Sequence, residues 1–590
     1  LTYKVSGLCR FLESFFVPLH YQNRQLDMFK KTNTNPQLDM FKVPTMQLGK
    51  RASKKYTDPA AWHNQFYRYV TSKIDEEIFK PLFKEGNMGA PNASIRVLVS
   101  MSILKEGFGC SDEDLFEKCE FDLLTRKALG LEMLDDSAPS IDTYYLFRRR
   151  FCAYEDEHGV NLMTRCFEQV TGEQVKMLQI SGKAVRMDSK LIGSNIAQYS
   201  RYELVHRTLT KFLKHKCNMD PLSKAESESA ASYLKEDPGK TVFRSDKDTL
   251  HNRLYAIGRY IYRILLSSAK DTPDLELLQR VFDDQYVVEG KEVKLRDKKA
   301  ISAKSLQSPD DPDATFRDKN GQKVSGYVTN ITETVEDDKP SIITSVQTAP
   351  VTKADCHFLQ EAVGNSERMT GDKVKDLYAD GAYQSPANRT FAKEHNGMRL
   401  NTCKMQGGCR WELILHDEDG LTVREIATGK TFEAVKAVTK QGSRKRWRIP
   451  WNNKTGWRYF EDKDIVANRL RRQIESLPLE EQYKRNNIEA AMFQYSFHTR
   501  NGKTRYRGLT KHRLHAYNRC FWMNLRRIVI FQISTFQRPI YGFFESIRAT
   551  WRVFHEISVS NNARCPYCII LTGEPQFSSS IPPRVKFAHF

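Results

Sequence analysis

The chain has 590 residues, is 40% hydrophobic and 28% charged, and carries a formal net charge of +20. That length makes several domains, or one domain with large insertions, and the composition suits a soluble globular protein. No run of about 18 uncharged apolar residues occurs, which argues against a membrane span, and the excess of positive charge points to nucleic acid or another anionic surface.

The first 57 residues read as a flexible leader. QLDMFK occurs twice in it, at Gln25–Lys30 and Gln37–Lys42. Arg10 and Glu13 interrupt the apolar start, which does not fit a secretory signal. The twelve cysteines are scattered, as expected of reduced thiols in a cytoplasm. Cys565 and Cys568 alone have close metal-type spacing, and no second pair completes a zinc site. Cys403 and Cys409 also lack a matching pair.

Residues 58–178 read as a helical domain. Val97, Leu98, Met101 and Leu104 recur at helical spacing. Ser111 and Asp114 open a helix predicted to run to Leu129, with Gly130 as its C-cap. Ser140 starts another helix, decorated by Arg148, Arg149 and Arg150. Those arginines suit either a DNA-reading helix or a solvated basic face.

At Lys183–Lys190 the period changes to that of a strand ending at Asp188. A mainly helical insertion follows, over about 195–310, with Thr272-Pro273 capping one of its helices. Strands resume at Lys323 and again after the EDDKP turn. A short helix is predicted at Asp355–Val363, a strand ending near Asp380, a helix over Ser385–His395, then a further strand. Residues of about 405–465 read as a small β insertion, with turns at Asp419-Gly420 and Thr428-Gly429. A helix carrying Glu489 and one from about His512 to Ile533 close the core. Residues 534–590 read as a tail.

Between Gln482 and Phe544 the lone carboxylate is Glu489. Around it stand Arg485, Arg500, Lys503, Arg505, Arg507, Lys511 and Arg513, cations that favour a phosphate backbone. An acid on such a surface repels that ligand unless a divalent cation sits between them. The plainer alternative is an ion pair with Arg485, one helical turn back. Metal-assisted phosphodiester cleavage needs two or three carboxylates brought together by rigid elements. Asp188 and Asp380 lie at predicted strand ends, and Glu489 on a helix that could close over them. Asp311 and Asp313 read as turn residues, and Asp372 and Asp376 as caps or solvated acids. His498 and His512 read as structural or phosphate contacts. Glu481 is the nearest substitute should Glu489 not serve.

VRMDSKLIGSN, SPDDPDATFRDKNGQKVSGYVTNITE, DLYADGAYQS and RNNIEAAMF…RYRGL…RLHAYNRCFWMNLRRI resemble segments of bacterial insertion-sequence transposases of the DDE type. The subgroup in question has a helical domain ahead of a ribonuclease H-like core. GAPNASIRVLVSMSILKEGFGCSDEDLFEKCEFDLLTRKALGL and APSIDTYYLFRRRF resemble its helical domain. The resemblance spans roughly Asp58 to Arg527. It implies an α+β multi-domain fold: a helical N-terminal domain, then a ribonuclease H-like mixed sheet at 179–533 with the helical and β insertions inside it. Asp188, Asp380 and Glu489 match the family's three acids, which bind two Mg²⁺ ions or Mn²⁺ in their place. Arg485 fits the family's signature around the last acid. The tyrosine of that signature is displaced to Tyr483, and Ser496 stands where it has a lysine, so that Lys503, Arg505 or Arg507 would have to substitute. The implied partners are double-stranded DNA, as inverted-repeat ends and target, and a second copy in a homodimeric end complex. The implied location is the bacterial cytoplasm, at the nucleoid. Two readings stay beside this one: a ribonuclease H-like nuclease that cuts without joining, and a non-catalytic DNA-binding protein of transposase descent.

Overall fold

The structure, a computed structural model, describes residues 29–32, 38–39, 41–83, 92–215, 224–267, 272–290, 292–319, 321–395, 397–402, 409–416, 420–437, 445–451, 456–476 and 478–560. Most of both QLDMFK copies, Cys403, Asp419, Cys565 and Cys568 lie outside these residues. The fold is α+β. No helix among the described residues is long and apolar enough to cross a membrane.

Helices come first: α1 (Pro44–Gln47), α2 (Lys50–Thr57), α3 (Trp62–Tyr69), α4 (Ile95–Phe108), α5 (Asp112–Phe121), α6 (Leu123–Leu129), α7 (Ile141–His158) and α8 (Leu162–Leu178). Their starts follow from local chemistry. Ser94, Ser140 and Asn161 each accept a backbone N–H at the first turn, and Ser111 with Asp114 forms a reciprocal capping box. The single helix expected from Ser111 to Leu129 is two. Asp122 ends α5, and its carboxylate accepts from Leu124 N and Thr125 Oγ1 to start α6. Gly130 closes α6 in the left-handed conformation, φ 81°.

The central sheet is built from β1 (Ala184–Gly193), β4 (Thr315–Lys319), β5 (Gln322–Thr334), β6 (Ile343–Pro350), β7 (Asp376–Ala379) and β8 (Arg399–Thr402). Between β1 and β4 lies a helical insertion, α9 (Arg201–Leu213), α10 (Lys224–Lys235), α11 (Pro238–Arg244), α12 (Lys247–Ser267) and α13 (Pro273–Gln285), ending in a hairpin of β2 (Tyr286–Glu289) and β3 (Glu292–Leu295). It buries a core of its own around Ile257, Ile261, Leu278 and Val281. β1 pairs antiparallel with β5 and parallel with β7; β7 pairs parallel with β8. β6 and β4 both pair antiparallel with β5, along different parts of that long strand. The order across the sheet is therefore β6-β5-β1-β7-β8. β1 runs past its expected end because the β5 ladder continues to Gly193 opposite Gly326, which puts Asp188 in mid-strand.

α14 (Leu359–Thr370) and α15 (Pro386–Glu394) belong to the β6–β7 and β7–β8 crossovers. Leu359, Ala362 and Val363 of α14 pack on Val185, Met187 and Leu377 of the sheet. A second sheet, β9 (Trp411–Leu415), β10 (Leu421–Glu425), β11 (Thr431–Lys436), β12 (Arg446–Trp451) and β13 (Gly456–Glu461), is an antiparallel meander with its own small core around Trp447 and Val423. Then follow α16 (Asp462–Glu475), α17 (Leu479–Ser496) and α18 (Leu509–Ser560). α18 extends well past the expected end at Ile533. Ser534 and Thr535 turn their hydroxyls back onto Phe531 O instead of capping, so they do not stop the helix.

α17 and α18 cover the face of the central sheet opposite α14. Ile331, Ile343 and Val346 of the sheet, Ile488 and Met492 of α17, and Phe521 and Trp522 of α18 join the core of the N-terminal helices. A Cβ at Gly107 of α4 would stand 2.4 Å from the Trp522 ring, so the close approach of α4 to α18 requires glycine there. The helical segment and the sheet are thus packed through one continuous core.

Candidate active site

Alternation along β1 sorts its side chains. Val185 and Met187 enter the core beneath α14. Arg186 and Asp188 point to the α17 face. Arg186 donates to Lys484 O of α17 and to Ser341 Oγ, and pairs with the buried Glu333 at 2.5 Å; Arg527 of α18 holds the other oxygen of Glu333 at 2.6 Å. This buried ion cluster fixes α17 and α18 against the strand that bears Asp188.

Asp188 Oδ1 accepts from Ser189 N at 2.8 Å, and Oδ2 lies 3.5 Å from Arg485 Nη2. Asp380 follows the last residue of β7 and accepts from Gly381 N at 2.6 Å. β7 is the parallel neighbour of β1, with Arg186 beside Tyr378. Tyr378 faces α17, where its hydroxyl donates to Glu481. Two residues further on, Asp380 shares that face with Asp188. Burial pushes the Asp188 carboxyl above the ordinary range. The Ser189 N–H and Arg485 pull it down, the charge of Asp380 pushes it up, and the net direction is upward.

Glu489 sits on α17, but 64% of its side chain is exposed and it pairs with Arg485 at 3.2 Å. Arg485, almost wholly buried, therefore spans the two carboxylates, Asp188 on one side and Glu489 on the other. Both readings of Glu489 meet here: the helical ion pair is made, and its arginine also touches Asp188. Among the described residues no three His, Cys, Asp or Glu side chains stand close enough together to hold a metal ion.

Other acids are committed elsewhere. Asp311 is fully buried and receives the hydroxyls of Ser194 and Tyr327; Asp313 accepts from Leu509 N. Asp372 caps Ser181 and Gly182, and Asp376 holds Arg399 and Asn401. Glu481 is held by Tyr378 and Lys484. His498 bonds to Gly107 O, and burial pushes the His512 ring down to about 3.

The cations of the 500–513 run are largely tied to the protein. Arg505 donates to Gly109 O and Cys110 O, capping the C-terminus of α4 where the helix dipole favours a cation. Lys503 reaches Ile196 O, Arg507 reaches Asn195 O and Asp310, and Arg513 pairs with Glu155 at 2.7 Å. Arg500 and Lys511 are exposed. In α7, Arg148 lies near Asp112 and over the Tyr144 and Tyr506 rings, Arg150 lies over Phe83, and Arg149 is exposed.

Two residues near the site carry no sequence signal for it. Asp355 is buried and accepts from Ser189 Oγ at 2.8 Å, with Arg317 at 3.8 Å. Tyr383 is buried, donates to Asn330 Oδ1, and is pushed far up by burial and by the charges of Asp188 and Asp355. Asp355 opens a short 3₁₀ turn, so locally it looks like an ordinary helix-starting acid.

Residues 56–150 match a family model described as Transposase domain (DUF772). No curated protein and no solved structure matches the chain. The family match covers the helical segment from α3 to α7 and supports a transposase family, a class of enzymes that act on DNA. It stops short of β1, so the acids stand on the geometry alone.

Proposed function

We propose that the protein is a DNA transposase of the DDE type, with a ribonuclease H-like core whose acids are Asp188, Asp380 and Glu489. One observation carries this reading. Asp188 lies in the central strand and Asp380 at the end of its parallel neighbour, on one face, beneath the helix that bears Glu489. The order β6-β5-β1-β7-β8, with β1 antiparallel to β5 and parallel to β7, is the arrangement a ribonuclease H-like sheet requires.

The chemistry of Asp188 and Asp380 fits hard divalent cations. Two carboxylates share a face, one is half-buried and pushed upward by desolvation, and each spends one oxygen on a backbone N–H. When bound there, a pair of Mg²⁺ or Mn²⁺ ions would supply a more acidic water and neutralise charge on the leaving oxygen. The chain's own residues do the positioning. Ser189 N and Gly381 N fix the two aspartates; Arg186 and Glu333 fix α17. Arg485 lies beside Asp188 in this state, and Glu489 must leave Arg485 to join the aspartates. The substrates are transposon-end and target duplexes, the products a cut end and its joined 3′ oxygen, and the working species is a homodimer.

Glu489→Gln tests the reading. It keeps the helix and removes one charge, so Mg²⁺-dependent cleavage of an end-containing duplex should fall by about a thousandfold or more, while duplex binding survives. Were Glu489 merely the partner of Arg485, the loss would be about 0.3–0.5 kcal/mol of stability with cutting nearly normal, and the assignment would fall. Strand transfer from precut ends separates a transposase from a nuclease that only cuts.

A further inference from the structure

α7 and the loop before α18 are more than 340 residues apart in sequence, yet they form two walls of one cleft of about 900 Å³. Arg148 and Arg149 come from α7; Arg505, Arg507 and Lys511 come from the loop side; Asn195, just beyond β1, forms the floor. Asp142 and Asp156 are the acids that line it. Asp156 is engaged by the Thr510 hydroxyl. Arg505 and Arg507 are anchored through carbonyls, which consume some of their five N–H donors and leave others for a ligand. The side chains of Arg149 and Lys511 make no hydrogen bond or ion pair among the described residues.

We propose that this cleft holds the phosphate backbone of duplex DNA at a fixed distance from the acids. The inference rests on the transposase reading and deepens it. Asn195 N donates to Tyr506 O, and Gly193 N to Gly502 O, so the loop is stitched to the end of β1. Counted from Asn195 on the cleft floor, Asp188 lies seven residues back along the chain, at most roughly 24 Å at 3.3–3.4 Å per residue. A duplex seated in the cleft would present to Asp188 a phosphate about seven steps away, at 3.4 Å per step along one strand. The cleft thereby ties the helical segment that matches a transposase domain to the strand that carries the first acid. Guanidinium groups anchored on carbonyls beside two exposed cations suit a backbone of regularly spaced phosphates.

The test is fluorescence anisotropy with the full chain, a labelled random-sequence duplex and a salt series. Arg149→Glu with Lys511→Glu should weaken binding at least about tenfold and flatten the salt slope by about two, one unit for each lost phosphate contact. Arg149→Ala with Lys511→Ala, checked for an unchanged melting temperature, should give the same slope change with a smaller loss. Unchanged affinity and slope in both variants would overturn the cleft while leaving the acid assignment standing. Polyglutamate competing as well as duplex at equal charge would overturn it in favour of an acidic protein partner. A wild-type chain that binds no duplex would overturn the cleft and the transposase reading together.

Discussion

Two carboxylates, the buried Glu106 and the half-buried Asp188, are treated in opposite ways. At Glu106, in the seam between α4 and α18, burial alone would push the carboxyl up. His515, by charge and hydrogen bond, the Tyr506 hydroxyl and Lys105 outweigh it and hold the group down at about 2. At Asp188 burial wins. One backbone N–H and one arginine at 3.5 Å do not offset it, and a neighbouring aspartate adds repulsion. A structural acid is neutralised by its own fold. An acid kept short of partners is poised for a ligand that brings positive charge.

The two acids differ most in what their removal does, and the largest effect is at Asp188. Asp188→Asn should abolish cleavage, by about a thousandfold or more, yet leave unfolding free energy within about 0.5 kcal/mol of wild type or above it. A raised carboxyl pKa means that the charged form is the strained one at neutral pH, and asparagine removes that charge. Chemical denaturation beside a cleavage assay checks both halves. A strongly destabilised Asp188→Asn would place this acid in the same class as Glu106.

Glu106→Gln is the opposite case. It leaves His515 and Tyr506 without their charged acceptor, and should cost about 3 kcal/mol, the equivalent of the depression from 4.5 to about 2. The sign follows from the depressed value. The stabilisation is complete above the unfolded carboxyl range, near pH 5 and higher, and is lost as pH falls through 4.5 toward 2. Acid titration of the melting temperature should therefore show a weaker acid-side slope in Glu106→Gln than in wild type.

A smaller effect sharpens the same contrast among cations. Arg505→Ala removes the cap on α4 and should cost about 1 kcal/mol, whereas Lys511→Ala should leave stability unchanged within about 0.5 kcal/mol. Equal stability in the two variants would mean that Arg505 is not part of the seam.

What the sequence disclosed and what it hid follow the same line. Element types were legible where local chemistry decides them: the Ser111 capping box, Gly130, Thr272-Pro273, and the period change at β1. Glu489 stands out in the sequence as a single carboxylate among many cations, and Asp188 and Asp380 as acids in the strand segments. The commitments of the cations were not legible. Arg505 finds Gly109 and Cys110, and Arg513 finds Glu155, across more than 350 residues, and no local pattern encodes such partners. Asp355 is hidden for the same reason, because Ser189 reaches its 3₁₀ turn from β1. β1 runs beyond Asp188 because its ladder depends on β5, 143 positions away at Asp188 and Ile331, which no local pattern encodes.

That separation bears on how the chain acquires its shape. Closing a loop of this size costs about 4 kcal/mol of chain entropy before any ladder bond repays it. The insertion between β1 and β4 has its own apolar interior and brings its two ends together, Ser194 reaching Asp311. Once collapsed, it acts as a clip that delivers β5 to β1 and replaces a long search by a short one. During synthesis the clip emerges before β5 does, so the strand bearing Asp188 waits beside an already compact body, not a loose coil.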